Sequence, residues 1–277
     1  MPGDEFKKGG SKTPGDFASQ SKSEYGCMAA RCLVGTSGWS YKHWAGGVFY
    51  PAGMKPSNWL DHYGRCFDSV EINNSFYRLP EKRTFQKWYE ISPENFAFAV
   101  KAGRFITHMK RLANPEDHLP PFLENASALK KKLGVILFQL PPYWKFNKDR
   151  LEKFFHFLSQ QQILPGLRSA LEVRHKSWIC EACFDVLRKY DVSLALADWP
   201  GLSVEGPLTA SFVFMRRHGP GSLYASNYSD AHLKRDAQKI RLRIFEGKDV
   251  YFYYNNDAYG YAVKNGLTLK AFLDQGS

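Results

Sequence analysis

Eight short apolar runs recur along the chain, and most of them are followed by a polar turn and an amphipathic helical pattern. Runs that are apolar on both faces and alternate with helices are typical of parallel sheets. Eight such units in about 250 residues predict an α/β fold, a (β/α)8 TIM-type barrel, with a doubly wound open sheet as the alternative. The eight runs are Cys32 to Gly35, Val70 to Asn73, Phe96 to Lys101, Val135 to Gln139, Ala170 to Val173, Ser193 to Asp198, Phe212 to Arg216 and Val250 to Asn255.

Amphipathic segments separate these runs, and we predict them to be the helices that cover the sheet. After the sixth run the helical pattern is weak or missing. The last clear segment is followed by Gly247, a residue type that often ends a helix. The clearest segments are Ser57 to Tyr63, Thr84 to Ile91, Pro121 to Leu133, Lys148 to Gln162, Glu181 to Tyr190 and Asp230 to Phe245.

Residues 1–27 differ from the rest of the chain, because they are rich in Gly, Ser, Lys and Asp and poor in apolar residues. Such a composition predicts a disordered tail. The four lysines of this tail balance its four acids, so the formal net charge of +11 belongs to residues 28–277, which we predict to be one barrel domain. No stretch reaches the roughly 18 apolar residues of a membrane span, and the first residues lack an apolar signal core. We therefore expect a cytoplasmic protein without membrane contact.

Charged and amide side chains stand where the apolar runs end. Side chains alternate along a strand, so Glu71 and Asn73 share one face of the predicted sheet. Buried charges are costly unless they are paired, and active sites lie at the carboxyl ends of barrel strands. We therefore predict the functional site there, and the alternative is a set of salt bridges that only tie strand ends together. The strand-end residues are Thr36, Ser37, Glu71, Asn73, Lys101, Gln139, Glu172, Arg174, Asp198, Arg216, His218, Asn255 and Asp257.

Read in order, these strand ends resemble the YecE-like family, domain of unknown function 72. The likeness extends from about residue 33 to the end of the chain. It implies a TIM-type barrel with some likeness to the endonuclease IV and xylose isomerase barrels, and it implies no reaction. The matching motifs are Val34-Gly-Thr-Ser-Gly-Trp39-Ser-Tyr41, Val70-Glu-Ile-Asn-Asn-Ser-Phe-Tyr77, Phe98-Ala-Val-Lys101, Phe138-Gln-Leu-Pro-Pro142, Glu172-Val-Arg-His175, Arg216-x-His218-Gly219 and Asn255-Asn-Asp257.

Basic and aromatic side chains at the strand ends predict a site for a phosphate-bearing ligand, a nucleic acid or a nucleotide. Arginine forks suit phosphate oxygens, and aromatic rings stack on unpaired bases. Four side chains, Lys101, Arg174, Arg216 and His218, are the predicted phosphate contacts. The full set of predicted ligand-binding residues is Trp39, Tyr41, Asn73, Tyr77, Lys101, His108, Gln139, Arg174, His175, Trp178, Arg216, Asn255, Asn256 and Asp257.

Phosphoester hydrolysis is a hypothesis at the same site, with Glu172 as general base and His218 as metal ligand or electrophilic stabiliser. Glu71 and Asp198 would orient the bases and transfer protons. One version places a divalent metal ion on Glu172, Asp198 and His218, although the sequence lacks HxH and HExxH spacing.

Two other functions stay open from the sequence. A carbohydrate-active hydrolase or isomerase would use Glu172 and Asp198 as paired carboxylates and the aromatic rings as sugar platforms. A carboxyl group that acts as a general acid needs a raised pKa, and an arginine beside it lowers that pKa. The arginines at the strand ends therefore argue against this function. A binding module without turnover would use the same basic strand ends.

Overall fold

The computed structural model describes residues 30–275 and has a mixed α/β fold. The tail predicted for residues 1–27 lies outside the described residues. All eight predicted apolar runs form strands, and helices separate most of them. None of the helices in residues 30–275 is long and apolar enough to cross a membrane.

Within residues 30–275, ten strands form two five-stranded sheets, in the orders β2-β3-β4-β5-β6 and β1-β10-β9-β7-β8. Every pairing is parallel except the short antiparallel pair β7–β8. The strands are β1 (Cys32–Thr36), β2 (Ser69–Ile72), β3 (Ala97–Lys101), β4 (Leu133–Gln139), β5 (Ser169–Glu172), β6 (Val192–Leu194), β7 (Leu196–Trp199), β8 (Leu202–Ser203), β9 (Val213–Arg217) and β10 (Val250–Tyr254).

The helix predicted for Pro121 to Leu133 is displaced, since it spans Pro115–Ala126 and is followed by a 3-10 segment, and the helix Tyr261–Asp274 was not predicted. The other helices follow the predicted segments closely, and α6 has the predicted bounds. It ends where Gly247, at φ 75°, donates its N–H to the carbonyl of Ile244. The weak helical pattern after the sixth run is also confirmed, because no residue between Trp199 and Val213 is helical. The helices are α1 (Trp59–Cys66), α2 (Lys82–Ile91), α3 (Pro115–Ala126), α4 (Lys148–Ser159), α5 (Glu181–Lys189), α6 (Asp230–Phe245) and α7 (Tyr261–Asp274).

The sixth predicted run divides between the two sheets. Its first half, β6, pairs with β5, whereas its second half, β7, pairs with β9. Ala195 lies between the halves, and its N–H donates to the carbonyl of Leu171 on β5 at 2.9 Å. The parallel α/β architecture is therefore confirmed, but a closed eight-stranded barrel is not, because neither sheet closes on itself.

Buried side chains lie on both faces of the sheets. One apolar cluster packs between strands β2–β6 and helices α1–α5. A second packs between β1, β9 and β10 on one side and α6 and α7 on the other. A third cluster joins strand faces of both sheets, and its buried members are Leu33, Ala97, Ala99, Val135, Leu137, Ala170, Ala195, Phe212, Phe214, Tyr251 and Tyr253. At the carboxyl ends of the strands, Lys101, Glu172 and Arg216 each follow a member of this cluster by two residues, so they point to the same side of the sheet.

Candidate functional site

The centre of the candidate site is a buried ion pair between the two sheets. Arg216 on β9 donates from Nε to Oε2 of Glu71 at 2.8 Å and from Nη2 to Oε1 at 2.7 Å. Both side chains are inaccessible to solvent. The alternation predicts this inward placement, since Arg216 pairs in register with Tyr253, a member of the interior cluster. Two parallel bonds of this kind fix the orientation of both groups.

The remaining N–H groups of Arg216 are also occupied. Nη1 donates to Oε2 of Glu172 at 3.0 Å and to Oε1 of Gln139 at 3.2 Å, and Nη2 reaches Oγ of Ser37 at 3.3 Å. Burial alone would lower the pKa of Arg216, but Glu71 and Glu172 outweigh burial and raise it above its ordinary value. A guanidinium has five N–H donors, and all five have partners here. In this structure Arg216 positions its neighbours, and its contact with phosphate stays a prediction.

Glu172, at the end of β5, accepts hydrogen bonds from three side chains. Its Oε1 accepts from Nη2 of Arg174 and from Nε2 of His218, the latter at 3.1 Å, while Oε2 is taken by Arg216. Burial alone would raise the pKa of Glu172, but Arg174, Arg216 and His218 hold it well below the usual value. Glu172 is therefore a stable carboxylate and a weak base.

His218 is fully buried and neutral. Burial lowers the pKa of this imidazole to about 3, although Glu172 opposes the shift. A neutral ring has one donor and one acceptor nitrogen. Nδ1 faces the amide Nδ2 of Asn255 at 3.2 Å, so we assign the proton to Nε2, which donates to Glu172. His218 therefore holds the carboxylate of Glu172 in position and carries no charge.

Asp198 lies on the other face of its strand. It is two residues from Leu196, which packs in the outer cluster, so the alternation of the strand turns Asp198 away from the interior. Its carboxylate accepts from the backbone N–H of His218 at 2.6 Å and from the hydroxyl of Tyr228. Glu172 and Asp198 therefore have different partners and lie on different faces of their sheets.

The three proposed metal ligands do not converge either. Glu172 bonds the ring of His218, whereas the Asp198 carboxylate bonds the backbone N–H of His218 and the hydroxyl of Tyr228. Within residues 30–275, no group of three or more His, Cys, Asp or Glu side chains is arranged to hold a metal ion. The predicted metal set is therefore not assembled by this geometry.

Arg174 has unsatisfied donors. Its guanidinium lies 3.4 Å from the ring centroid of Trp199, and Nη2 bonds Glu172 and, at 3.3 Å, Gln139. Nε and Nη1 are buried and have no hydrogen-bond partner among residues 30–275. Burial lowers the pKa of Arg174 to about 10. Buried N–H groups without acceptors are unfavourable, so these two point to an acceptor that a ligand would supply.

Lys101, at the end of β3, is the third base of the site and is 8% exposed. Its ammonium lies 4.4 Å from the centroid of the Phe76 ring. Burial, together with Arg216, lowers the pKa of Lys101 to about 7. The ring of His108 contacts the same Phe76 at 4.9 Å, and burial lowers the pKa of His108 to about 4. Both shifts mean that Lys101 and His108 bind a proton less readily than ordinary lysine and histidine side chains do.

A cavity of about 750 Å³ lies beside this charged cluster, between the loop after β1 and helix α2. Four predicted ligand residues, Trp39, Tyr41, Asn73 and Tyr77, contribute to its wall. Asn73 donates from Nδ2 to the carbonyl of Ser37 at 3.2 Å, and its buried Oδ1 has no partner among the described residues. Ser37 also contacts Arg216, so the cavity and the charged cluster are neighbours.

Several predicted ligand residues serve the scaffold instead. Trp178 is fully buried and donates to the carbonyl of Trp144 at 2.7 Å, so it packs in the core, and its contact with a ligand stays a prediction. His175 accepts the N–H of Ser177 and caps a short helix.

The last predicted pair, Asn256 and Asp257, fixes loops. Asn256 bonds the carbonyl of Ser226 at 2.9 Å, whereas Asp257 accepts from Trp44 and from the ring of His43, both at 2.8 Å. Burial raises the pKa of Asp257 to about 6.

Tyr224 is a site residue that the sequence prediction missed. Its ring lies 5.8 Å from that of His218 and 6.1 Å from that of Trp199, and it is 39% exposed. The backbone places it there, because the N–H of Tyr224 donates to the carbonyl of His218 at 2.7 Å. The glycines at 219 and 221 were the available signal for such a returning loop.

Comparison with known proteins agrees with the fold. A family model described as "Protein of unknown function DUF72" matches residues 33–277. The chain is 25% identical to the UPF0759 protein YunF of Bacillus subtilis (strain 168), over 87% of this chain and 94% of YunF. It is 32% identical to the UPF0759 protein YecE of Escherichia coli (strain K12), over 44% of this chain and 43% of YecE.

Two solved structures resemble the chain. A DUF72 family protein from Thermotoga maritima MSB8 has a TM-score of 0.75 and 27% identity, covering 88% of this chain and 99% of its own. A DUF72 family protein from Enterococcus faecalis V583 has a TM-score of 0.74 and 20% identity, covering 88% of this chain and 95% of its own. The second likeness concerns the fold alone.

Proposed function

The chain belongs to the DUF72 family of proteins of unknown function, and from its strand ends we propose that it binds a phosphate-bearing ligand, a nucleotide or a nucleic acid. The observation that carries this proposal is the state of Arg174. Its Nε and Nη1 groups are buried without acceptors in the part of the chain that the structure describes, while its planar face is held against Trp199. Separate phosphate oxygens would satisfy the two donors with charge-assisted hydrogen bonds.

The charge balance of the site supports an anion. Three bases, Lys101, Arg174 and Arg216, face two carboxylates, Glu71 and Glu172, and both carboxylates are already paired with arginine. His218 is neutral and adds no charge. An excess of positive charge in a site with little solvent attracts negative groups strongly.

The neighbouring cavity supports a ligand with a planar ring. Its wall includes Trp39, Tyr41, Tyr77 and Trp88, which offer aromatic faces and edges to a base. The unpaired Oδ1 of Asn73 would accept a hydrogen bond from a ring N–H or an exocyclic amine. In this arrangement the phosphate contacts Arg174 and the base enters the cavity.

Turnover is not part of this proposal. Hydrolysis with Glu172 as general base would need a carboxylate that takes up protons readily, and the pKa of Glu172 is held well below the usual value. The carbohydrate alternative needs Glu172 and Asp198 to act together, and Asp198 faces the outer side of its strand. Binding is the function that these contacts favour.

We also propose that the two sheets form one barrel wall around the interior cluster. Tyr253 on β10 bonds Ser69 on β2 at 2.5 Å, and Ser37 and Glu71 form a parallel bridge next to it. The segment from β6 to β7 links the sheets on the other side. A crystal structure with backbone hydrogen bonds continuing from β1 to β2 would establish closure, and a water-filled gap there would exclude it.

Binding is tested with fluorescently labelled single-stranded DNA, duplex DNA and single nucleotides over a salt series. We expect affinity to fall steeply with salt, because phosphate contacts release counterions. Arg174→Ala should weaken binding by about tenfold or more, the effect of about 1.5 kcal/mol for a hydrogen bond to a charged group. Arg188→Ala is the matched control, since Arg188 is an exposed arginine on α5. Absence of binding at about 50 mM salt, or equal loss in both variants, would refute the proposal.

A further inference from the structure

Lys101 has no counterion among the residues that the structure describes. The two carboxylates of the cluster, Glu71 and Glu172, are occupied by Arg216 and Arg174. No hydrogen bond or ion pair to Nζ of Lys101 occurs within residues 30–275, and its close partner is the face of Phe76, at 4.4 Å. A buried ammonium that competes with two arginines for the same carboxylates is poorly stabilised.

The neutral amine is therefore accessible at physiological pH. Burial, together with Arg216, lowers the pKa of Lys101 to about 7, even though Glu71 and Glu172 oppose the shift. The remaining 8% exposure leaves the side chain within reach of a ligand at the strand ends. A desolvated lysine beside other cationic groups is the arrangement that activates an amine as a nucleophile.

We infer that Lys101 is a covalent site that forms an imine with the aldehyde or ketone carbon of a phosphate-bearing carbonyl compound. This rests on the proposed anion site, because Arg174 would hold the phosphate while the carbonyl approaches Nζ. Arg174 pairs with Glu172, and the charges of both groups act on the ammonium of Lys101. The compound is a sugar phosphate or the open-chain sugar of an abasic nucleotide, which present the same two groups.

The chemistry balances without an oxidant or a metal. The lone pair of Nζ attacks the carbonyl carbon, a C–N bond forms, and the π electrons of the C=O bond move to oxygen. A proton moves from nitrogen to this oxygen and gives a carbinolamine. The C–O bond then breaks, the second amine proton leaves with the oxygen as water, and the C=N bond of the imine forms.

Reductive trapping tests this inference on the full chain. The protein is incubated with glyceraldehyde 3-phosphate or with a single-stranded oligonucleotide that carries one abasic site, and cyanoborohydride reduces the imine to a stable secondary amine. Peptide mass spectrometry then locates the adduct. We expect labelling of Lys101 to exceed that of Lys110, an internal control on the adjoining loop, by about tenfold or more, because the amine of Lys101 is desolvated among cationic groups. The two probes distinguish a small sugar phosphate from a nucleic-acid source.

Two controls keep the outcome clear. Glyceraldehyde without phosphate should label Lys101 weakly, and Arg174→Ala should remove the advantage of the phosphorylated probe. Lys101→Arg should abolish the adduct. The ratio of labelling at Lys101 to labelling at Lys110 is measured in the wild-type protein, so poor folding of the variant does not affect the main test. Equal labelling of both lysines, or no adduct at Lys101 with either probe, overturns the inference. If nucleotides still bind under those conditions, the imine fails while the proposed binding function survives.

Discussion

Arg216 and Glu71 are joined by two parallel hydrogen bonds, of 2.8 and 2.7 Å, across the interior between β9 and β2. They are separated by 145 positions in the sequence and belong to different sheets. This pair therefore fixes the distance between the two sheets at the end where the candidate site lies.

Removing the charge of Glu71 should destabilise the fold strongly. Glu71→Gln leaves a buried guanidinium with one carboxylate partner fewer, and breaking one side of a buried pair costs about 3 to 5 kcal/mol. The measurement is the free energy of unfolding from urea denaturation. Glu94→Gln is the control, because Glu94 bonds Lys131 at the exposed surface and such pairs contribute little. Similar losses in the two variants would show that the buried pair does not hold the sheets together.

His218 should make the protein sensitive to mild acid. Burial holds its folded pKa at about 3, below the ordinary value of 6.5, so the unfolded chain binds a proton that the folded chain does not. The stability from this group is complete above about pH 6.5 and falls towards pH 3, by up to about 1.4 kcal/mol per pH unit. Urea denaturation between about pH 7 and pH 4 measures this slope. His218→Gln should flatten it, and an unchanged slope would locate the acid sensitivity elsewhere.

Ligand affinity should fall as pH rises through neutrality. The pKa of Lys101 is lowered to about 7 by burial and by Arg216 and Arg174, with Glu71 and Glu172 opposing. Below that value the side chain is an ammonium that attracts phosphate, and above it the attraction is lost. Titration with a labelled nucleotide between about pH 6 and pH 8 tests this. Lys101→Met should bind more weakly at pH 6 and lose the pH dependence, and a variant that keeps it would exclude Lys101 as the titrating group.

Tyr77 should contribute to binding of the base but not of the phosphate. Its ring is 84% exposed and lines the 750 Å³ cavity, so Tyr77→Ala leaves the fold intact. We expect nucleotide affinity to fall by about 1 to 3 kcal/mol, the contribution of one base stacking on an aromatic ring. Inorganic phosphate, measured by competition, should bind as before. Phe245→Ala, an equally exposed aromatic at the end of α6, should change neither affinity, and a loss there would point to a nonspecific effect.

Much of the fold was predictable because the sheets are buried on both faces. Their strands read as apolar runs, and all eight were located. The break at Ala195 was not predictable, since the run from Ser193 to Asp198 is continuous in hydrophobicity and the division depends on which neighbours each half pairs with. The placement of Asp198 was predictable in principle, because it alternates with Leu196 towards the outer cluster.

The division of labour between the arginines could not be read from the sequence. Alternation places both Arg174 and Arg216 at the strand ends, and residue type makes both suitable for phosphate. Whether a guanidinium has free donors depends on distances between strands that are not neighbours in sequence. Arg216 reaches Glu71 and Glu172 at once, whereas Arg174 stacks on Trp199 and keeps two donors unpaired.

The complete set of partners around Arg216 has a consequence for energetics. Because Ser37, Glu71, Gln139 and Glu172 are fixed by one saturated guanidinium, the groups beside Arg174 hold their positions before any ligand arrives. A ligand then meets a preorganised site and loses little free energy to ordering side chains. The residue that contributes most to affinity in this sense would be one that the ligand never touches.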